Sequence, residues 1–339
     1  GAYGLEERSN AGYVQLNFGG ERWTGNLGMR YVETKEDVTN YVQATAATDP
    51  GVINTSAFGP FKQVVTKNTY KDWLPSANLK WDVSDDVVLR LAASQTMTRP
   101  DFSALAGSVS LLPPATVDGI GSGTGGNPNL KPILSTNVDA TLEWYYAEHA
   151  LLSVGVFDMD IDNYVSLTRV RQQYLTIDNL HPSPGVMVNY DVTIPVNTHA
   201  EVNGVELAWQ QPFAEYFGVF ANYTWADGDT DDGQPMLGTS KRTYNVGAYF
   251  ENDMFNARVN YTYRSEFFSG LDRASAFWQD EVENVSASFG YKINDNFSVT
   301  LDAMNLNNPK VKYFAESKER PRSIYENGRQ YYLNVRFNY

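Results

Sequence analysis

The chain has 339 residues, 42% hydrophobic and 14% aromatic, with no cysteine, a mean hydropathy of -0.40 and a formal charge of -14 from 26 basic and 40 acidic side chains. Without cysteine there is no disulfide framework, thiolate metal site or cysteine nucleophile, and the acidic balance disfavours nucleic acid, whose phosphates need clustered cations. No window approaches the ~18–20 apolar residues of a membrane helix, so the 22 Tyr, 17 Phe and 7 Trp beside a negative mean hydropathy need another architecture.

Period two supplies it. In chain order, Gly25, Leu27, Met29 and Tyr31 share one face of an alternating run, followed by Val87, Leu89, Leu91 and Ala93. Val138, Ala140, Leu142 and Trp144 oppose Asn137, Asp139, Thr141 and Glu143. Phe217, Val219, Ala221, Tyr223 and Trp225 repeat the pattern, and Phe255, Ala257, Val259, Tyr261 and Tyr263 oppose Asn256, Arg258, Asn260, Thr262 and Arg264. Such alternation predicts strands with one apolar and one polar face.

The connectors alternate as well. Short ones fall near 19–21, 84–85, 147–148, 212–215, 252–253 and 294–295, and long polar ones near 40–66, 99–131, 168–197, 227–239, 266–277 and 307–326, leaving about thirteen strands. Several long loops are uncommon in a compact soluble domain. Short turns on one rim and long loops on the other predict an all-β fold: a transmembrane antiparallel up-and-down β-barrel with short periplasmic turns and long extracellular loops. Trp23, Trp81, Trp144, Tyr145, Trp209, Phe213, Phe217, Tyr291 and Phe297 are the expected interfacial aromatics. A soluble sandwich is the alternative, but it would place turn signals every ~8–12 residues, whereas these strands are longer.

The residues then resemble a family, the C-terminal barrel portion of TonB-dependent outer-membrane receptors. The resemblance is carried by 94–105, by Asn127-Pro128-Asn129-Leu130-Lys131-Pro132 leading into 137–146, by 203–207 and by 302–309, in that order. The last strand, with Tyr331, Leu333, Val335, Phe337 and Tyr339 on one face, is similar to the signal read by the barrel-assembly machinery. The resemblance implies that 1–339 is the C-terminal part of a single barrel domain of 22 strands. Its signal peptide, plug domain, TonB-contacting segment and N-terminal strands would then lie outside this chain.

Site expectations follow. The only histidines, His149, His181 and His199, form no metal or triad motif and are expected in turns or loops, so no catalytic residue is assigned and no enzyme is expected. Arg99, Asp101 and Asn129 are polar candidates for ligand or plug contacts, with loop bracing as their alternative. Phe267, Phe268, Phe277, Trp278, Tyr313 and Phe314 are aromatic ligand candidates, with loop packing or membership of the outer girdle as their alternative. Asp227, Asp229 and Asp231 occupy positions 1, 3 and 5 of a calcium-like loop, the one candidate cofactor being Ca²⁺. That pattern departs at Asp232, where a glycine belongs, and at Gly238, where a bidentate Glu belongs, which favours a solvated acidic loop.

The resemblance implies a receptor in the bacterial outer membrane. It would actively take up a bulky, scarce nutrient, oligosaccharide or ferric siderophore. Partners would be outer-membrane lipid and lipopolysaccharide, the TonB complex, the barrel-assembly machinery and a small-molecule nutrient, with no nucleic acid. A passive porin or adhesion barrel is the alternative, and a soluble β-rich carbohydrate-binding protein the third reading.

Overall fold

The computed structural model describes residues 3–43, 51–53, 60–182, 185–272 and 275–337. Among them, thirteen strands follow one another in a single antiparallel sheet in chain order. They are β1 (Gly4–Gly19), β2 (Trp23–Gln43), β3 (Phe61–Asp82), β4 (Val87–Thr98), β5 (Ile133–Ala147), β6 (Ala150–Thr176) and β7 (Val186–Phe213). The rest are β8 (Phe217–Thr230), β9 (Arg242–Glu251), β10 (Phe255–Arg264), β11 (Val282–Asn294), β12 (Phe297–Met304) and β13 (Gln330–Phe337). β1 and β13 end the order.

Register sorts the residues into two faces. Val259 pairs with Ala248 and Ala287, and Leu301 with Phe289 and Leu333, so the apolar positions run across neighbouring strands as one outward band. Leu333, Val335 and Phe337 are largely exposed there, a contiguous apolar surface that suits lipid and would aggregate in water. Trp23 lies beside Trp81 at the lower edge, while the Tyr31 and Trp73 rings meet at 4.8 Å and Tyr244 stacks on Tyr263 at 4.8 Å at the upper edge. From Trp23 to Tyr31 the chain climbs ~26 Å at ~3.3 Å per residue, which strand tilt reduces toward the ~25 Å apolar band of such walls.

The opposite face is polar. Arg90 donates to both Glu143 oxygens at 2.8 and 3.2 Å, and Asp302 accepts from Ser288 at 2.6 Å and Asn334 at 2.9 Å. Tyr145 belongs to this face, not to the aromatic girdle expected of it, because its hydroxyl donates to Glu143 at 3.0 Å.

Several of the long connectors carry strand where the sequence suggests loop. The 168–197 stretch is mostly strand, because β6 and β7 stay paired from Leu151 to Thr176 and from Val186 to Gln210 as one tall hairpin. β8 ends at Thr230, leaving β7 with a free edge above it, and Gly121–Gly125 of the 99–132 loop pairs there in parallel. This covers an edge that would otherwise recruit foreign strands. Tyr174, Val188, Tyr190 and Val192 form the buried core of the lobe, with Val109 and Leu111 packed against it.

Gly121 makes this close approach possible, since a Cβ there would lie 2.3 Å from the Tyr190 ring. Gly121→Val is expected to destabilise the lobe by about 1–3 kcal/mol through overpacking. Faster proteolysis within 109–125, with the wall still resistant, would be the signature; wild-type resistance would contradict it.

Candidate ligand site above the wall

Four short strands from two connectors form a separate sheet in the order Phe267–Asp272, Ser275–Gln279, Lys310–Ala315 and Pro321–Glu326. Its alternation divides the six aromatic candidates. Phe268 pairs with Trp278 and Trp278 with Phe314, placing the three on one face, where Phe268 and Phe314 are buried. Phe277 and Tyr313 share the other face, stacked at 5.2 Å with planes 11° apart, and Tyr325 meets Tyr313 edge-on. Phe267 is covered by the Arg264 guanidinium, 3.9 Å from its centroid.

A cleft of about 480 Å³ opens between this sheet and the rim of β8–β10. Its aromatic lining is Phe268, Trp278 and Tyr263, with Pro235 and Met236 beside them. Asp227, Glu266 and Glu281 carry its negative charge, and Lys241, Arg242 and Lys318 its positive charge. The ammonium of Lys318 lies 2.8 Å from Asp280 and 3.1 Å from Glu266, and hydrogen bonds to these two carboxylates hold its pKa well above the ordinary lysine value. Lys241 pairs with Asp227 at 2.9 Å. An apolar shelf with balanced charged groups can hold a ligand by ring stacking and by hydrogen bonds to its hydroxyls.

The polar candidates lie elsewhere. Arg99 reaches Ser9 at 2.7 Å, Thr34 at 3.3 Å and Glu7 at 3.3 Å, fastening the start of the 99–132 loop to β1 and β2. The Asp101 carbonyl accepts from the Ala104 and Leu105 amides and starts the short Phe102–Leu105 helix, which buries Leu105 beside Val38 and Leu130. The Asn129 amide donates to Asn127 Oδ1 at 3.0 Å. Asn127 also donates to the Pro195 carbonyl, and Asn197 accepts the Lys131 amide and donates to the Lys131 carbonyl, so the Asn-Pro motif ties the loop to the tall hairpin.

Asp227 and Asp229 lie within β8, opposite Asn203 and Glu201, so the expected calcium-like loop is instead a paired strand up to Thr230. Sequence reasoning missed a neighbouring group, in which Asp160, Asp162 and His199 hold three ligand atoms within 4.8 Å of one another among the described residues. His199 thus lies in a strand, contrary to expectation, whereas His149 and His181 lie in turns. In β13, Tyr331, Leu333, Val335 and Phe337 are exposed and paired in register with β12, and Tyr339 falls outside the described residues.

The wall and its two rims define the class, an antiparallel membrane-type β-wall with one apolar and one polar face. The family model described as "TonB dependent receptor-like, beta-barrel" matches residues 2–306, and the chain belongs to that family. Among solved structures it is similar to the copper transporter OprC, with 14% identity and a TM-score of 0.64, covering 98% of this chain and 48% of that one. It is also similar to the ferric-catecholate import receptor Fiu of E. coli K12, with 15% identity and a TM-score of 0.64 over 99% of this chain and 45% of that one. The siderophore receptor PirA of Acinetobacter baumannii matches with 14% identity and a TM-score of 0.62, over 99% of this chain and 55% of that one. The chain therefore spans about half the length of these structures, whose likeness is one of fold. No match was found among curated protein sequences. The family consists of receptors and transporters of the outer membrane.

Proposed function

We propose that the complete receptor performs TonB-dependent uptake of a bulky polyhydroxylated nutrient, captured on the aromatic cleft beneath the four-stranded sheet. The observation that supports this reading is the lining of that cleft. Trp278 offers a ring face, and three carboxylates balance three cations, an arrangement suited to the hydroxyls of an uncharged oligosaccharide. A multiply anionic ferric siderophore would need net positive charge there, and it stands as the second reading because the similar structure PirA is a siderophore receptor.

Uptake of labelled oligosaccharides and ferric siderophores by a deletion strain, with and without TonB, separates these readings from a passive porin. Oligosaccharide uptake that persists without TonB would eliminate energised transport. Trp278→Ala in the full-length receptor is expected to weaken ligand binding about tenfold by removing the stacking surface. Calorimetry showing unchanged affinity would exclude this cleft as the capture site.

A further inference from the structure

His181 lies where the tall hairpin turns, and it is 3% exposed. Its Nδ1 is 2.9 Å from Asp178 Oδ1, and its Nε2 is 3.0 Å from the carbonyl oxygen of Val117, 64 positions away in the 99–132 loop. The turn is built to hold the ring. Asp178 and His181 exchange backbone hydrogen bonds at 3.0 and 3.2 Å, and Asp178 Oδ1 also accepts the amides of Leu180 and His181 at 2.9 and 2.8 Å.

A neutral imidazole has one donor and one acceptor nitrogen, whereas carbonyl and carboxylate oxygens only accept. Both contacts are satisfied together only when both ring nitrogens carry protons. The charged groups facing the ring are Asp178 on the hairpin and Asp118 on the loop, and both favour the cation.

We propose that His181 is a pH-sensitive clasp, which as an imidazolium holds the hairpin tip to the 99–132 loop and releases it as the pH rises. Loss of either proton leaves a ring lone pair facing an oxygen lone pair, so one contact must break. The Val117 carbonyl bond raises the imidazole pKa most, burial opposes it, and Asp178 raises it further. A group raised in the folded state stabilises fully below its ordinary value of ~6.5, and this contribution is lost as pH climbs through the raised value. The clasp is therefore closed in mildly acidic medium and open in alkaline medium.

Release concerns one lobe. The loop strand Gly121–Gly125 remains paired to β7, and the core around Tyr190 stays in place, so the segment between Leu112 and Gly121 is the part set free. Because the clasp joins extracellular segments independently of the aromatic cleft, it stands or falls apart from the proposed nutrient.

Hydrogen exchange of the full-length receptor in detergent micelles, corrected for intrinsic rates, tests the clasp at pH 6 and pH 9. Protection of the 113–120 and 177–182 segments is expected to fall about tenfold or more at the higher pH, the scale of one charge-assisted hydrogen bond, while the paired strands 109–112 and 121–125 and the wall segment 285–292 are unchanged. His181→Gln, with no titratable group, is expected to exchange fast at both values. Asp178→Asn keeps the turn's acceptor but removes the charge, and is expected to move the transition to lower pH by about one unit. Equal wild-type protection at both values, a wild-type pH response retained in His181→Gln, or an unmoved transition in Asp178→Asn would each overturn the clasp.

Discussion

Val259→Arg is expected to destabilise the membrane-inserted receptor by about 2–4 kcal/mol, the cost of a guanidinium at the midplane of a lipid-facing strand. Val259 lies halfway along β10 between Phe255 and Tyr263, on the outward face with Ala248 and Ala287 as its lateral neighbours. One position earlier, the native Arg258 points the other way, its guanidinium 5.8 Å from the Phe220 ring. The same side chain is thus tolerated or excluded by a single residue of register, because neighbouring positions in a strand face opposite solvents. Asn222→Arg, at an exposed position of the inner face, serves as the control and is expected to change stability by no more than ~0.5 kcal/mol. Urea unfolding from lipid vesicles measures both, and equal costs would mean that the outward band does not face lipid.

This two-solvent environment also explains what the sequence made legible. Between Phe255 and Arg264 each residue's side could be read directly, because lipid and lumen impose opposite chemistry on alternate positions. The signal weakens where that contrast ends. Above the band, the polar residues around Tyr174 and Tyr190 conceal a hairpin whose faces meet water or a covering loop, so 168–197 reads as a connector. Near Tyr145 the β5–β6 register shifts between Trp144 and Ala147, and a strand-end aromatic there could belong to either face. The run of aspartates and glycines after Trp225 has loop composition, yet pairing with β7 keeps it extended.

The site was legible as a set of residue types but not as an arrangement. The sequence marks Phe267, Phe268, Phe277, Trp278, Tyr313 and Phe314 as aromatic loop residues. Only pairing between two distant connectors assigns Phe268, Trp278 and Phe314 to the cleft side and stacks Phe277 on Tyr313. His181 shows the same limit, because its partner Val117 is remote in sequence and contributes a backbone carbonyl, which no side-chain motif records.

Arg99→Met is expected to weaken the closed 99–132 loop by about 2–3 kcal/mol. Breaking a buried ion pair from one side costs about 3–5 kcal/mol, reduced here because the Arg99 side chain is a third exposed. The guanidinium holds Glu7, Ser9 and Thr34 together, and Glu7 stands directly opposite Glu36 in the β1–β2 register. Glu36 is fully buried; it accepts from the Tyr70 hydroxyl, and its Oε1 has no hydrogen-bond partner among the described residues. Without Arg99, two carboxylates confront each other beneath the loop with their nearest cation gone. Glu36→Gln should then restore much of the loss, because it removes one of the like charges while keeping an acceptor for Tyr70. Arg99→Lys should restore less, since an ammonium keeps the charge but cannot span three oxygens with a planar fork. Proteolysis and hydrogen exchange across 101–130 in the single and double variants measure the coupling. If Glu36→Gln gave no rescue, relief of like-charge repulsion would not be the reason this wall holds its loop through Arg99.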